Sequence, residues 1–269
     1  MNHWLILPIL MPAILGAVLV IAARHDIVLS RVFSVLSAGL LLAVALVLLA
    51  MASDGSVRVY ALGNWVAPFG IVLVLDRLAA LMLVLTATLG LGVLLYAING
   101  WDERGKHFHP LFQFQLMGLN GAFLTGDFFN LFVFFEILLI ASYGLMVHGG
   151  GGLRVKAGVQ YVVTNLVGSS LFLIAVGLIY SVTGTLNMAD LALKVPQVPA
   201  GDQALLQTGA VLLLLVFGVK AALVPLHFWL PGTYANAPGP VAALFAIMTK
   251  VGAYSIIRQI GRASCRERV

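Results

Sequence analysis

FFNLFVFFEILLIASYGLMV, residues Phe128–Val147, contains one charged side chain, Glu136, in twenty residues. At 1.5 Å per residue such a run crosses the roughly 30 Å hydrocarbon layer of a bilayer as a helix. Asp127 stands immediately outside the run, and the next positive charge downstream is Arg154. A charged side chain at the bilayer centre costs about 2.5–3.5 kcal/mol on insertion scales. Glu136 is therefore expected to be protonated, paired or open to a wet interior path. Lys220 and Lys250 lie in similarly apolar runs. Three ionisable groups in three separate spans point to ion or proton conduction.

The rest of the chain belongs to the same solvent. It is 61% hydrophobic and 9% charged, with a mean hydropathy of +1.06, against about 25% charged residues in soluble domains. The reading is an all-α polytopic membrane protein. The net charge of +5 is spread over short loops and implies no nucleic-acid partner. The single cysteine, Cys265, excludes an internal disulfide. Trp4–Ile21 has no basic segment before it and reads as the first span, not a signal peptide. At the other end Ile260–Val269, IGRASCRERV, turns abruptly polar and reads as the translation of a sequencing adapter. Removing it takes out three arginines and one glutamate and lowers the net charge from +5 to +3. The natural protein is then expected to continue further.

Eight spans can be placed: Trp4–Ala22, Val28–Ala52, Val72–Ile98, Pro110–Thr125, Phe128–Val147, Val159–Val182, Leu205–Pro225 and Ala237–Ile257. The fourth is only about 24 Å long and must be sheltered by protein. The turn at Gly126 and Asp127 that joins it to the fifth is very tight. Loops after odd-numbered spans carry Arg24, Arg31, Arg104, Lys106, Arg154 and Lys156, whereas the other side carries Arg58 and Lys194. The positive-inside rule then places the N-terminus outside, in a bacterial inner membrane. Asp76–Arg77 is set aside from this count as a local pair or a snorkelling residue.

Lys220 sits in VLLLLVFGVKAALVPLHFWLP, where Pro225 cannot donate to the carbonyl of Ala221 and its ring clashes there. A break beside the lysine is expected, and broken helices present free backbone groups at ion sites in transporters. A desolvated lysine can exchange a proton. Lys250 lies towards one end of its span beside Thr249, behind Pro238 and Pro240, which suit a helix entrance. His227, two residues after Pro225, is either a proton relay or a satisfied interface histidine.

Other polar groups speak more weakly. Gln113, Gln115 and Asn120 in the fourth span, with Thr164 and Asn165 in the sixth, either line a hydrated path or stitch helices together. His107, His109, Asp102 and Glu103 resemble a metal cluster only superficially, since no compact ligand motif is present. Gly149–Gly152 opens no Lys-Ser/Thr motif and reads as a flexible turn. No motif marks a flavin, haem or nucleotide, so no cofactor is expected.

Three segments carry a family resemblance: HFHPLFQFQLMGLNGAFLTGDFFNLFVFFEILLIASYGL from His107, YVVTNLVGSSLFLIAVGLIYSVTGTLNMADLA from Tyr161, and FGVKAALVPLHFWLPGTYANAPGPVAALFAIMTKVGAY from Phe217. Over residues 1–259 the chain resembles the antiporter-like membrane subunits shared by Mrp-type cation/proton antiporters and respiratory complex I, and within them the D-type Mrp subunits. The resemblance implies about fourteen helices, with helices four to eight and nine to thirteen as inverted repeats. Residues 1–108 would be an N-terminal three-helix region, 109–259 the first repeat with a discontinuous seventh helix, and 260–269 the non-native tail. By the same resemblance Glu136 and Lys220 pair, protonation moves along a hydrated axis, and Lys250 and His227 match further family positions. The implied partners are other antiporter subunits, protons, Na+ or K+, and membrane lipid.

The function expected is a non-enzymatic membrane subunit of a monovalent-cation/proton antiporter. Two alternatives share its residues. One is a proton-pumping subunit of an NADH:quinone oxidoreductase or related hydrogenase, driven by electron transfer elsewhere. The other is a non-conducting scaffold whose charges only orient helices.

Overall fold

A computed structural model describes residues 3–23 and 26–264, with side chains as far as Arg258. Arg24, Cys265 and the last residues of the expected tail lie outside the described residues. The helices are α1 Leu7–Ile21, α2 Ile27–Ala52, α3 Arg77–Ala97, α4 Phe108–Leu124, α5 Phe128–Met146, α6 Gly152–Thr183, α7 Met188–Lys194, α8 Gln203–Lys220, α9 Trp229–Asn236 and α10 Gly239–Ser264. Six of them, α2, α3, α5, α6, α8 and α10, are long and apolar enough to cross a membrane. The chain is a multi-pass membrane protein.

The two remaining expected spans are short, for different reasons. α1 is an apolar helix of 15 residues. α4 has 17 residues, about 26 Å of rise, and it is the buried axis of the bundle. Of its residues only Leu111, Phe114 and Met117 are not fully buried. Glycine makes this possible: a Cβ on Gly118 would stand 2.7 Å from the backbone nitrogen of Leu138 in α5, and one on Gly121 would collide with the Phe134 ring. Sheltered by α1, α3, α5 and α10, α4 has little need to match the bilayer thickness.

The expected start of the third span fails. Val72–Leu75, taken as the start of the third span, is strand β2 of an antiparallel hairpin with β1, Arg58–Ala61, in register Arg58↔Leu75 to Ala61↔Val72. Hydropathy cannot tell a short apolar strand from a helix end, although the valines favour the strand. Helix α3 starts after Asp76, whose carboxylate accepts from the Ala79 amide at 2.8 Å. Asp26 and Asp127 cap α2 and α5 in the same way, at 3.0 Å and 2.9 Å. These acids satisfy helix N-terminal amides at the edges of the apolar layer, which separates Asp127 from Glu136 in role.

The tight α4–α5 turn is real and is stitched from outside. The Gly126 amide donates to Val72 O and the Met188 amide to Gly126 O, both at 2.9 Å, and the Phe128 amide donates to Leu186 O at 3.0 Å. Hairpin, turn and the approach to α7 thus share one end of the bundle. At that end Asp76 pairs with Arg258 of α10, not with Arg77, whose guanidinium donates instead to Ser53 O at 2.8 Å.

The opposite end gathers the expected metal-like residues into an ion-pair network. Arg31 donates to both Asp102 oxygens, at 2.6 and 2.8 Å, and to Glu103 at 2.7 Å. Buried His109 bridges Asp102 and Ser34, each at 3.1 Å, while His107 is exposed. Burial opposes the Asp102 charge, yet hydrogen bonds from Arg31 and His109 hold its carboxyl below the usual carboxylate range. Arg154 closes this end by donating to His148 O at 2.7 Å and Asn236 O at 3.0 Å.

Candidate functional site

Helix α8 stops at Lys220, one residue before the carbonyl that Pro225 cannot serve. The Ala221 amide still reaches Phe217 O at 2.7 Å, but the Leu223 amide turns back to Gly218 O at 2.9 Å across a wider loop. Ala222 has φ +53°, a left-handed conformation uncommon for a residue with a Cβ. The chain resumes as α9. Trp229 at its start donates its indole N–H to Val219 O at 3.0 Å, a second donor to the carbonyl that the Ala222 amide reaches at 3.1 Å.

Helix α10 lies directly on this break. A Cβ on Gly252 would be 2.5 Å from Ala221 N, 2.8 Å from Lys220 C and 2.9 Å from Phe217 O. Only a residue with no side chain fits there. Two residues on a helix are about 200° apart, so burying Gly252 against α8 turns Lys250 away from it.

Lys220 is 5% exposed. Its ammonium faces α6, with Asn165 Oδ1 and Ser169 Oγ at 3.4 Å and Asn165 O at 3.5 Å. The Asn165 amide nitrogen donates to Tyr161 O at 2.9 Å, which turns its oxygen towards the lysine. The Phe135 ring centroid lies 5.6 Å from Nζ. All three polar contacts exceed the usual 2.7–3.2 Å range, so the charge is loosely held by neutral oxygens.

Glu136 follows Phe135 on α5 and is partly buried, and its Oε1 is buried without a hydrogen-bond partner. Among the described residues it forms no ion pair with Lys220. Water or a movement must bridge the two groups for a proton to pass directly.

Lys250 is exposed, and among the described residues the neighbouring Thr249 hydroxyl alone lies near Nζ, at 3.5 Å. It stands near the middle of α10, not towards the end of its span. His227 is exposed in the break and is not joined to the Lys220 contacts. Gln113 accepts from Ser37 at 3.3 Å and Asn120 donates to Pro8 O at 2.9 Å, while both Gln115 amide atoms are buried without partners. Thr164 bonds back to its own helix at Gln160 O, 3.0 Å away. The residues missed from sequence are Ser169 and Gly252. Asn165, Gly168 and Ser169 share one α6 face at spacings of three and four, a small-polar stripe that could have marked the lysine's partner surface.

Residues 125–265 match the family described as NADH:quinone oxidoreductase/Mrp antiporter, TM. The chain is 52% identical over 263 residues to a probable D-type K(+)/H(+) antiporter subunit of Rhizobium meliloti (strain 1021), covering 96% of this chain and 49% of that protein. It is 45% identical over 261 residues to the D-type Na(+)/H(+) antiporter subunit of Bacillus subtilis (strain 168), covering 96% and 52%. A chain in the structure of the Mrp complex from Dietzia sp. DQ12-45-1b superposes with a TM-score of 0.88 at 35% identity, covering 96% of this chain and 49% of that one. The chain therefore spans about half the length of these relatives.

Proposed function

We propose that this chain, which belongs to the NADH:quinone oxidoreductase/Mrp antiporter transmembrane family, is part of a membrane subunit of a multisubunit Na+ or K+/proton antiporter. Glu136 and Lys220 carry protons in it, and no covalent chemistry is involved. The observation that supports this most is Lys220 at the end of a broken transmembrane helix, buried and solvated only by neutral oxygens of α6. A purely structural lysine would gain from a carboxylate partner or from reaching an interface. The relatives' names add support and leave Na+ against K+ open. Lys250 and His227 remain candidates for further steps, Lys250 on a face that the rest of a longer protein would cover. Residues 1–108 serve as an N-terminal region, 109–259 as one antiporter-like repeat, and 260–269 as a non-native tail. Sequencing the source locus across codon 259 tests the tail, and the same decapeptide followed by a stop would refute it.

The function is tested with the full-length protein made together with its neighbouring subunits in everted vesicles. Adding Na+ or K+ should collapse a preformed proton gradient. Proton movement that ignores both cations and follows only NADH or hydrogen oxidation would reject the antiporter reading in favour of the respiratory one.

We place the protein in the bacterial inner membrane with an external N-terminus. The end of the bundle bearing the Arg31–Asp102 network is then cytoplasmic. Arg77 and Arg258 join Arg58 and Lys194 at the other end, so the bias narrows to six against four. Gly151 has φ +110° and would be strained as cysteine, so single cysteines belong at Ser53 and Gly152 in a background free of other cysteines. Ser53 should label from outside and Gly152 only from the cytoplasm; the reverse pattern rejects this orientation.

A further inference from the structure

One turn before Asn165 on α6, Tyr161 is 1% exposed, and its hydroxyl lies 2.8 Å from Ser142 Oγ and 3.8 Å from Met248 Sδ. The Ser142 hydroxyl also reaches Leu139 O, at 2.6 Å. A serine has one proton to give, and the carbonyl can only accept it. With the Ser142 proton donated to Leu139 O, the Tyr161 proton goes to Ser142 Oγ in preference to the weaker, more distant Met248 sulfur, and the tyrosine's oxygen lone pairs stay free. Tyr161, Asn165, Lys220, Trp229 and Met248, with the apolar side chains of Phe135, Leu138 and Leu139, enclose a cavity of about 10 Å³. That volume is at the lower limit of the roughly 10–15 Å³ that one water needs, and the polar groups it could meet there belong to Tyr161, Asn165 and Lys220. Lys220, whose present contacts are all 3.4 Å or longer, lacks a close acceptor.

We propose that Tyr161, oriented by Ser142, is a positioning residue that holds one water against the Lys220 ammonium together with Asn165. This rests on the reading of Lys220 as a proton carrier. The water supplies the close contact that Asn165 and Ser169 do not, so the charged lysine is solvated without opening the site to bulk water.

The test uses the full-length protein assembled with its partner subunits in everted vesicles. Tyr161→Phe keeps the ring that packs on Trp229 and Phe245 and removes only the hydroxyl. Maximal cation-induced proton flux should fall about fivefold to tenfold, the scale of one lost hydrogen bond. Subunit abundance and the cation KM should stay unchanged. Ser142→Ala should act in the same direction, and the double variant should lose no more than Tyr161→Phe alone. Wild-type flux in Tyr161→Phe, or a fall explained by a raised KM, overturns the proposal. If Tyr161→Phe fails to assemble, Ser142→Ala decides, and wild-type flux there overturns it equally. Lys220→Ala in the same assay separates the two layers. If it abolishes flux while Tyr161→Phe keeps wild-type flux, only the positioning role fails; if it retains flux, the reading beneath fails.

Discussion

Glu136→Gln, in the full-length protein assembled with its partners, is expected to abolish most cation-coupled proton flux in everted vesicles. Glutamine matches the volume and hydrogen bonding of a protonated glutamate but cannot titrate. The Glu136 Oε1 atom is buried with no partner, so the exchange removes no visible packing bond, and abundance should stay near normal. Lys220→Ala should abolish flux as well, by removing the one ammonium at the helix break. The two residues are not a contact pair in this structure. Each substitution therefore leaves the immediate hydrogen bonds of the other intact, and both losses report on proton traffic and not on a collapsed salt bridge. Wild-type exchange by Glu136→Gln across pH 7–9 would make Glu136 a packing residue.

The positions of these groups were legible because membrane sequences are written in few symbols. Long apolar runs with single charges located α5, α8 and α10, and Pro225 located the break, since a proline withholds one amide and blocks one carbonyl wherever it falls in a helix. What lay beyond reach depends on which helix faces which. Lys220 and Lys250 look alike in sequence, yet one is buried against α6 and the other exposed, because Gly252 fixes the rotation of α10. The Glu136–Lys220 pair implied by the family resemblance is replaced here by Asn165 and Ser169, polar residues too ordinary to outrank a carboxylate in a linear reading. Hydropathy likewise hid the hairpin, as Val72–Leu75 is as apolar as the helix after it. Asp76 could be seen as a helix start, but its partner Arg258 is 182 residues away, and no local pattern encodes that distance.

Gly252→Ala should be among the damaging single-methyl changes at the described glycines, and the one that bears on Lys220. In an ordinary exposed helix position this exchange stabilises by roughly 0.5–1 kcal/mol, because glycine has more backbone freedom to lose. At Gly252 the new carbon would stand 2.5 Å from Ala221 N and 2.8 Å from Lys220 C, and both are backbone atoms that cannot rotate aside. Overpacking of this kind costs about 1–3 kcal/mol, and the strain falls on the turn that presents Lys220 to Asn165 and Ser169. Displacement of about an ångström there would break contacts already at 3.4–3.5 Å. Flux should therefore drop further than the amount of protein in the membrane. Gly177→Ala on α6, where nothing lies within 4 Å of the added carbon, is the matched control and should change neither. Flux per assembled complex is the quantity to compare. Equal values for Gly252→Ala and Gly177→Ala would mean that α10 can slide off the break without cost, and that the seating of α10 on α8 does not set the geometry of the lysine.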